Sequence, residues 1–474
     1  MLPEKTFAEH RKSIPSFAEY GFPPEICIFP RMKKQSLGYF DLSMIVVSLV
    51  IGMGIFKTPA SVAKVALSPG VFFSAWTLGG LIAICGALTF AEIGSRLPVS
   101  GGYYRIFSHS YHPAFAFMLN GTILISNAAS VAGVALIGAE YSSRLLFPGS
   151  FSPEQEEQQR LLIAFVEILL FFGLNLGGLR TSAKTQNVLT LFKILVVVVL
   201  TCAIFWPSPG SSETVAAAAN HSGPHSFSDY LLSLGLCLIP ISFTYGGYQQ
   251  TINFGGEVEN APRTLPRSII TGMLLVAGLY LAINFAYYYV IGFEQLGQSD
   301  SIAKMLADRI LGGSGNVLSM LLFFSVLAYV NVGLMSNPRV ILAMSEEGTL
   351  PAFFSKHSKR FHVPVSALVA FTAATLIILV FAKTFDQLVK YVIFLDSLGF
   401  IAAAFTVFIL RKRKTGEEQS IYKMKLYPLV PVIFIVAYGL VTASVIAEGW
   451  KFALFGLVVF AAFYPLYLLF RQKK

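Results

Sequence analysis

Two stretches of this 474-residue chain interrupt an apolar run with glycines: Ile51-Gly52-Met53-Gly54-Ile55-Phe56 and Phe243-Thr244-Tyr245-Gly246-Gly247-Tyr248-Gln249-Gln250. Glycine costs about 1 kcal/mol against alanine inside a helix, so such pairs favour local unwinding. Unwound backbone exposes N–H and C=O groups that lipid cannot satisfy. It is tolerated only where it lines a cavity or meets a ligand. For either stretch alone, close helix packing through small residues is the competing reading. Together they mark the opening of two corresponding halves, the pattern of a solute site built from inverted repeats. A half-helix starting after Gly54 presents N–H groups and a positive dipole end, which suit a carboxylate. A half-helix ending near Tyr245 leaves carbonyls, which suit an ammonium. Opposite poles a few ångströms apart match an α-amino acid zwitterion.

Lone ionisable residues form the second group. Lys193 lies in Leu191-Phe192-Lys193-Ile194-Leu195, where a charge costs several kcal/mol near mid-bilayer and is a functional candidate by default. A fixed cation, a proton carrier, a structural ion pair and snorkelling to the surface all remain open. Asp396, in Phe394-Leu395-Asp396-Ser397, suits selection of a cationic or hydroxylated side chain, or is protonated and neutral. Glu167 has either a structural or a functional hydrogen bond. Asp41 matches a helix dipole at the start of the first run. Glu92, Arg96, Glu257 and Arg263 gather at the ends of runs, as an inner gate or as solvated caps. Asn331 and Ser336 are pocket or packing candidates.

The elements that must position these residues follow from composition. The chain is 55% hydrophobic and only 13% charged, against about 25% charged in soluble domains. Disorder, a small disulfide scaffold and an ordinary soluble enzyme are excluded. A bilayer core roughly 30 Å thick needs about 20 apolar helical residues. Twelve runs qualify: 39–63, 70–94, 113–139, 161–179, 186–206, 231–256, 267–292, 316–338, 364–383, 386–410, 428–447 and 450–470. All are too long and too poorly alternating for barrel strands, so the expected fold is an all-α integral membrane protein with 12 transmembrane helices.

Lys and Arg concentrate on the side that holds both termini, including Arg31, Lys33, Lys34, Arg411 to Lys414, Arg471, Lys473 and Lys474. Loop 207–230 has none. Both termini are therefore expected in the cytoplasm of a cell-membrane protein. The first 37 residues lack an apolar core, so no cleavable signal peptide is expected. The net charge of +10 reflects topology, not nucleic-acid binding. Cys27, Cys85, Cys202 and Cys237 show no metal spacing, and the seven histidines fall in loops or tails. No Walker A loop is present. No metal, cofactor or catalytic set is therefore expected, and the protein reads as a transporter and not an enzyme, with a sensor on the same fold as a rival.

The motifs resemble those of the amino acid–polyamine–organocation superfamily, and within it the L-type amino acid transporters and their bacterial relatives. The resemblance spans about residues 37–470. It is carried by Ile51 to Phe56 with Pro59; by Ala91-Glu92-Ile93-Gly94 with Pro98, Ser100-Gly101-Gly102 and Tyr104; by Phe243 to Tyr248 with Gly256-Glu257, Asn260, Pro262, Arg263 and Pro266; and by Arg339, Ala343-Met344, Gly348 and Leu350-Pro351. It implies a LeuT-type 5+5 inverted repeat with helices 1 and 6 broken: a tail 1–37, a transport core 38–410, and two peripheral helices with a tail 411–474. It also implies alternating access and sodium-independent exchange of neutral L-amino acids, with proton-coupled transport of cationic amino acids or polyamines as the alternative. By similarity, the amides of Met53, Gly54 and Ile55 hold the substrate carboxylate. Carbonyls around Ile51, Phe243 and Tyr245 hold its amino group, Phe243 is the lid, and Lys193 replaces a sodium ion, bridging spans one and eight. Gly52, Gly246, Gly247, Tyr248 and Asp396 complete the expected site. Met53 stands where serine is usual, and Tyr248 where tryptophan is frequent. The accessory subunit of animal members bonds to a cysteine after span three. Residues 140–160 have no cysteine, so no disulfide-linked partner is expected.

Overall fold

A computed structural model describes residues 36–52, 54–147, 152–205, 226–298, 302, 305–306, 315–358, 363–381, 385–417, 421–448 and 450–471. Among them the chain is helical; the β-pairing is limited to the isolated bridges Leu37–Val258 and Ser100–Phe254. Among the described residues, eleven helices are long and apolar enough to cross a membrane. A twelfth apolar helix, Val365–Phe381, is shorter and falls on the run 364–383, whose last residues lie outside the described set. Tail residues 1–35 and Met53 lie outside it as well.

The helix starts are written in short local signals. Pro69, Pro113 and Pro153 each open a helix at a first position, behind Ser68, His112 and Ser152 as caps. Proline suits that place because its fixed φ matches the helix and its missing N–H would be unpaired there anyway. Ser226 and Asp229 form a reciprocal capping box at the start of Phe227–Thr244, which satisfies two orphan donors at once.

Faces divide between lipid and bundle. In Pro153–Leu176, Leu162, Val166 and Leu170 are exposed at helical spacing, while Ile163, Ala164, Glu167 and Ile168 are buried. An exposed stripe of large apolar side chains has no place in water but is the natural face toward lipid tails. Leu440, Leu454, Leu457 and Leu469 on the final two helices, Leu429–Glu448 and Trp450–Phe470, are exposed in the same way. Within the bundle, Pro69–Arg96 packs along Ala261–Ile291, and Pro113–Leu146 along Gly315–Glu346.

Both glycine-rich stretches are breaks. We label the first half-helix α1 (Tyr39–Val50) and its continuation α2 (Gly54–Val65). The sixth span runs as α-helix over Phe227–Thr244, then resumes as a 3₁₀ segment, Tyr248–Asn253. The breaks pack directly on each other. A Cβ on Gly247, whose φ is +114°, would come within 2.1 Å of the Leu49 carbonyl oxygen. A Cβ on Gly54 would come within 2.7 Å of the Thr244 hydroxyl. Glycine is required at these two positions because the Leu49 backbone and the Thr244 side chain occupy the space of a Cβ.

Gly247→Ala is therefore expected to destabilise the protein by about 1–3 kcal/mol, read as a fall of several degrees in thermal unfolding in detergent. Gly235→Ala, where an added Cβ meets nothing within 4 Å, should leave the midpoint unchanged or raise it.

Candidate substrate site

The two breaks frame one cavity of about 50 Å³, room for several waters or a small polar guest. Gly52 and Gly54 line it from the first span, Phe243, Gly246 and Gly247 from the sixth, and Asp396 from helix Phe385–Lys412. Residues distant in the chain thus meet at one point. Ile51, Ile55, Tyr245 and Tyr248 are buried beside it and do not line it. The Tyr245 ring lies against Trp76 and Tyr280, and Tyr248 lies against Phe90 and Phe400.

The broken backbone is partly satisfied from outside. The last carbonyls of a helix have no intrahelical donor and carry its negative dipole end. At the end of α1, the fully buried Lys193 ammonium donates to the Ser48 carbonyl (3.3 Å), the Ser48 hydroxyl (3.4 Å) and the Ile51 carbonyl. These three bonds all go to the first span. The Tyr280 hydroxyl faces the Val50 carbonyl at 2.9 Å and the Thr244 carbonyl at 3.2 Å, so one side chain ties the two breaks together. The Phe243 carbonyl accepts from Gly246 N–H (3.1 Å). Of the carbonyls expected to hold an amino group, those of Ile51 and Phe243 thus each have a donor already. Each carbonyl has a second lone pair for a guest. On the other side, α2 begins at Gly54, and the N–H groups of its first turn lack intrahelical acceptors. They offer the positive pole.

A ring of amides stands at the cavity wall. Asn127 donates to Asn337 at 2.6 Å, Gln250 to Asn127 at 3.0 Å, and Asn337 to Gln250 at 3.4 Å. Asn127 and Gln250 line the cavity. Sequence reasoning missed Asn127, Asn337 and Tyr280; amides inside apolar runs were the available signal for the first two. The flagged Ser336 contacts this region through Asn253 (3.1 Å) and the Gln250 carbonyl (3.3 Å). Asn331 points elsewhere, bonding Gln186 (2.7 Å) and Asn175 (3.0 Å). Asp41 accepts from Gly38 N–H (3.2 Å) and Asn187 (2.6 Å) at the start of α1. Glu167 is buried against Gly138, away from the cavity.

The four charged residues expected to cluster do not meet: Glu92 and Arg96 belong to one assembly, Glu257 to another, and Arg263 to neither. Glu92 is fully buried and accepts from Arg96 (2.8 Å), from both Nε (2.8 Å) and Nη2 (2.7 Å) of Arg411, and from Met424 N–H (3.0 Å). Glu257 pairs with Arg339, with Nη2–Oε2 at 2.7 Å, and the same guanidinium lies over the Phe254 ring. Arg263 is exposed in the first turn of Ala261–Ile291. Glu92 therefore clamps the second span to the last turn of Phe385–Lys412 and to the segment after it, while Glu257 clamps the end of the sixth span to the eighth.

A helical membrane bundle with two broken spans meeting on a small cavity is the architecture of a solute transporter. The chain belongs to the amino acid permease family, whose profile matches residues 37–466. It is 27% identical to the serine/threonine exchanger SteT of Bacillus subtilis (strain 168) over 447 residues, covering 93% of this chain and 98% of that protein. It is 27% identical to the mouse large neutral amino acids transporter small subunit 2 over 412 residues, covering 85% and 75%. It is 28% identical to the human cystine/glutamate transporter over 434 residues, covering 90% and 83%.

Lys193→Met should strip the Ser48 and Ile51 carbonyls of their donor, at about 1–3 kcal/mol for each buried group left unpaired, read as a fall of several degrees in the unfolding midpoint. Glu92→Gln should leave the buried Arg96 without its carboxylate and cost about 3–5 kcal/mol, more than Glu257→Gln at its partly exposed pair. Parallel thermal unfolding of the two variants checks the order.

Proposed function

We propose that this membrane amino acid transporter is a sodium-independent exchanger of neutral L-amino acids that works by alternating access. The observation that carries the reading is the meeting of two broken helices on one cavity, with the first-turn amides of α2 at Gly54 on one side and helix-end carbonyls on the other. A zwitterion fits such paired poles through its carboxylate and ammonium. The Lys193 ammonium on the α1 carbonyls supports sodium independence, because it occupies acceptors that a bound cation would otherwise use. Exchange is the activity in the name of the serine/threonine exchanger that this chain resembles along nearly its whole length.

In this reading the helix Val365–Phe381 is a twelfth span, the first ten spans form a 5+5 inverted repeat over residues 38–410, and the last two are peripheral. Both termini face the cytoplasm, in line with the positive-inside distribution of Lys and Arg. The protein works without an enzyme activity, a cofactor or a disulfide-linked subunit. The Glu92–Arg411 and Glu257–Arg339 pairs are latches that break when the inner path opens. A second reading, proton-coupled transport of cationic amino acids or polyamines, is favoured by Asp396 at the cavity wall.

Counterflow in sodium-free proteoliposomes, against neutral, cationic and anionic amino acids, tests both. Accumulation of a neutral amino acid driven by the same solute inside, unchanged by added sodium or a pH gradient, is the expected result. Flux that needs sodium would overturn the reading; flux of cationic substrates that follows the pH gradient would favour the second. Absence of all flux would point to a sensor.

A further inference from the structure

A series of polar contacts ties the stretch after the sixth-span break to the eighth span. The Gln250 side chain accepts from Asn337 at 3.4 Å, and the Gln250 carbonyl from Ser336 at 3.3 Å. Asn253 donates to Ser336 at 3.1 Å, and Glu257 pairs with Arg339 at 2.7 Å. The eighth-span partners, Ser336, Asn337 and Arg339, sit within about one helical turn. The amide ring is the rung at the cavity: Asn127 and Gln250 line it, while Asn337, fully buried, does not line it and holds both. The Asn337 Nδ2 also donates to the Gly333 carbonyl at 2.9 Å, which fixes the sense in which the ring runs.

The members of the ring are unequally anchored. Asn127 and Asn337 stand on Pro113–Leu146 and Gly315–Glu346, two long helices that pack along each other. Gln250 stands on the 3₁₀ segment Tyr248–Asn253, which follows Phe227–Thr244 through Tyr245, Gly246 and Gly247. Movement of this segment off the eighth span breaks the bonds of Gln250 to both partners and leaves the Asn127–Asn337 bond intact. Asn127 and Gln250 each spend one N–H and one lone pair on the ring, so each keeps a second N–H for the cavity.

We propose that Asn337 is a positioning residue that makes exchange obligatory. Through Asn127 and Gln250 it keeps the inner path shut while the cavity is empty, and the ring gives way when the cavity is filled. This rests on the amino acid exchange proposed above and adds the reason why the empty protein does not cross. Parting the ring leaves buried amides without partners, which is costly in either state. A guest anchored at the two poles holds its polar atoms against Asn127 and Gln250 and offsets that loss. Waters in the empty cavity offset it less, because each must be immobilised to do so.

The test preloads proteoliposomes of the full-length protein with labelled alanine, serine or leucine and follows efflux with and without the same amino acid outside. Wild-type efflux should be about ten-fold or more faster with it than without. Asn337→Leu keeps the shape and removes the amide, so efflux into substrate-free buffer should rise about ten-fold and the ratio should fall toward one. A merely structural role would lower both rates together. That outcome, or an unchanged ratio beside intact wild-type exchange, overturns the proposal. If Asn337→Leu does not fold, Gln250→Met, which opens the ring from its other side, is judged on the same ratio. If neither folds, hydrogen–deuterium exchange of the wild-type protein decides. Added substrate should then speed exchange of the 250–257 backbone, and slower or equal exchange overturns the proposal. Absence of flux, or wild-type efflux equally fast with and without outside substrate, overturns the exchange reading itself and is distinct from an unchanged variant ratio.

Discussion

A helix that stops inside an apolar bundle creates a debt of hydrogen bonds, because its terminal carbonyls have no intrahelical donor and the surrounding apolar side chains offer none. In this protein the end of α1 is met by the Lys193 ammonium and the Tyr280 hydroxyl, and the same hydroxyl reaches the end of the sixth-span helix at Thr244. The breaks can share one tyrosine only because they touch. They touch because Gly247 has no side chain where Leu49 puts its carbonyl, and Gly54 has none where Thr244 puts its hydroxyl. The cavity, its two poles and its walls all follow from that contact.

The balance of satisfied and unsatisfied groups there separates structure from readiness to bind. Lys193 is wholly buried and engaged, so it acts as part of the scaffold of the broken helix. The first-turn amides at Gly54 have no intrahelical acceptor, and Asp396 has a single hydroxyl donor. The amide ring of Asn127, Gln250 and Asn337 is closed on itself. It holds the third, sixth and eighth spans in register beside the cavity without placing a charge there. Neutral amides suit that task, since their geometry specifies a register while their burial costs less than that of ions.

Further from the cavity the connections are ionic. The Glu92 carboxylate takes bonds from two arginines and a backbone amide, the arrangement in which a buried charge is tolerable. Glu257 and Arg339 are partly exposed, so their attraction is softened by solvent. The two assemblies therefore differ in how far solvent screens their charges. Their partners, Arg411 and Arg339, lie 319 and 82 residues away from the acids they meet.

Much of this was legible in the residues alone. Apolar length set the helices and the membrane as solvent, since no other structure satisfies the backbone there. The paired glycines located both breaks, and the rarity of charge in apolar runs singled out Lys193 and Asp396. These signals are local, in composition and spacing. Which carbonyls Lys193 would meet, that Tyr280 would bridge the breaks, that Tyr248 would pack away from the cavity, and that Glu92 and Glu257 would find different arginines were decided only by tertiary structure. Such pairings depend on how helices far apart in the chain rotate and cross. Rotation is set by the packing of every side chain in the bundle together, and no single stretch of sequence encodes it.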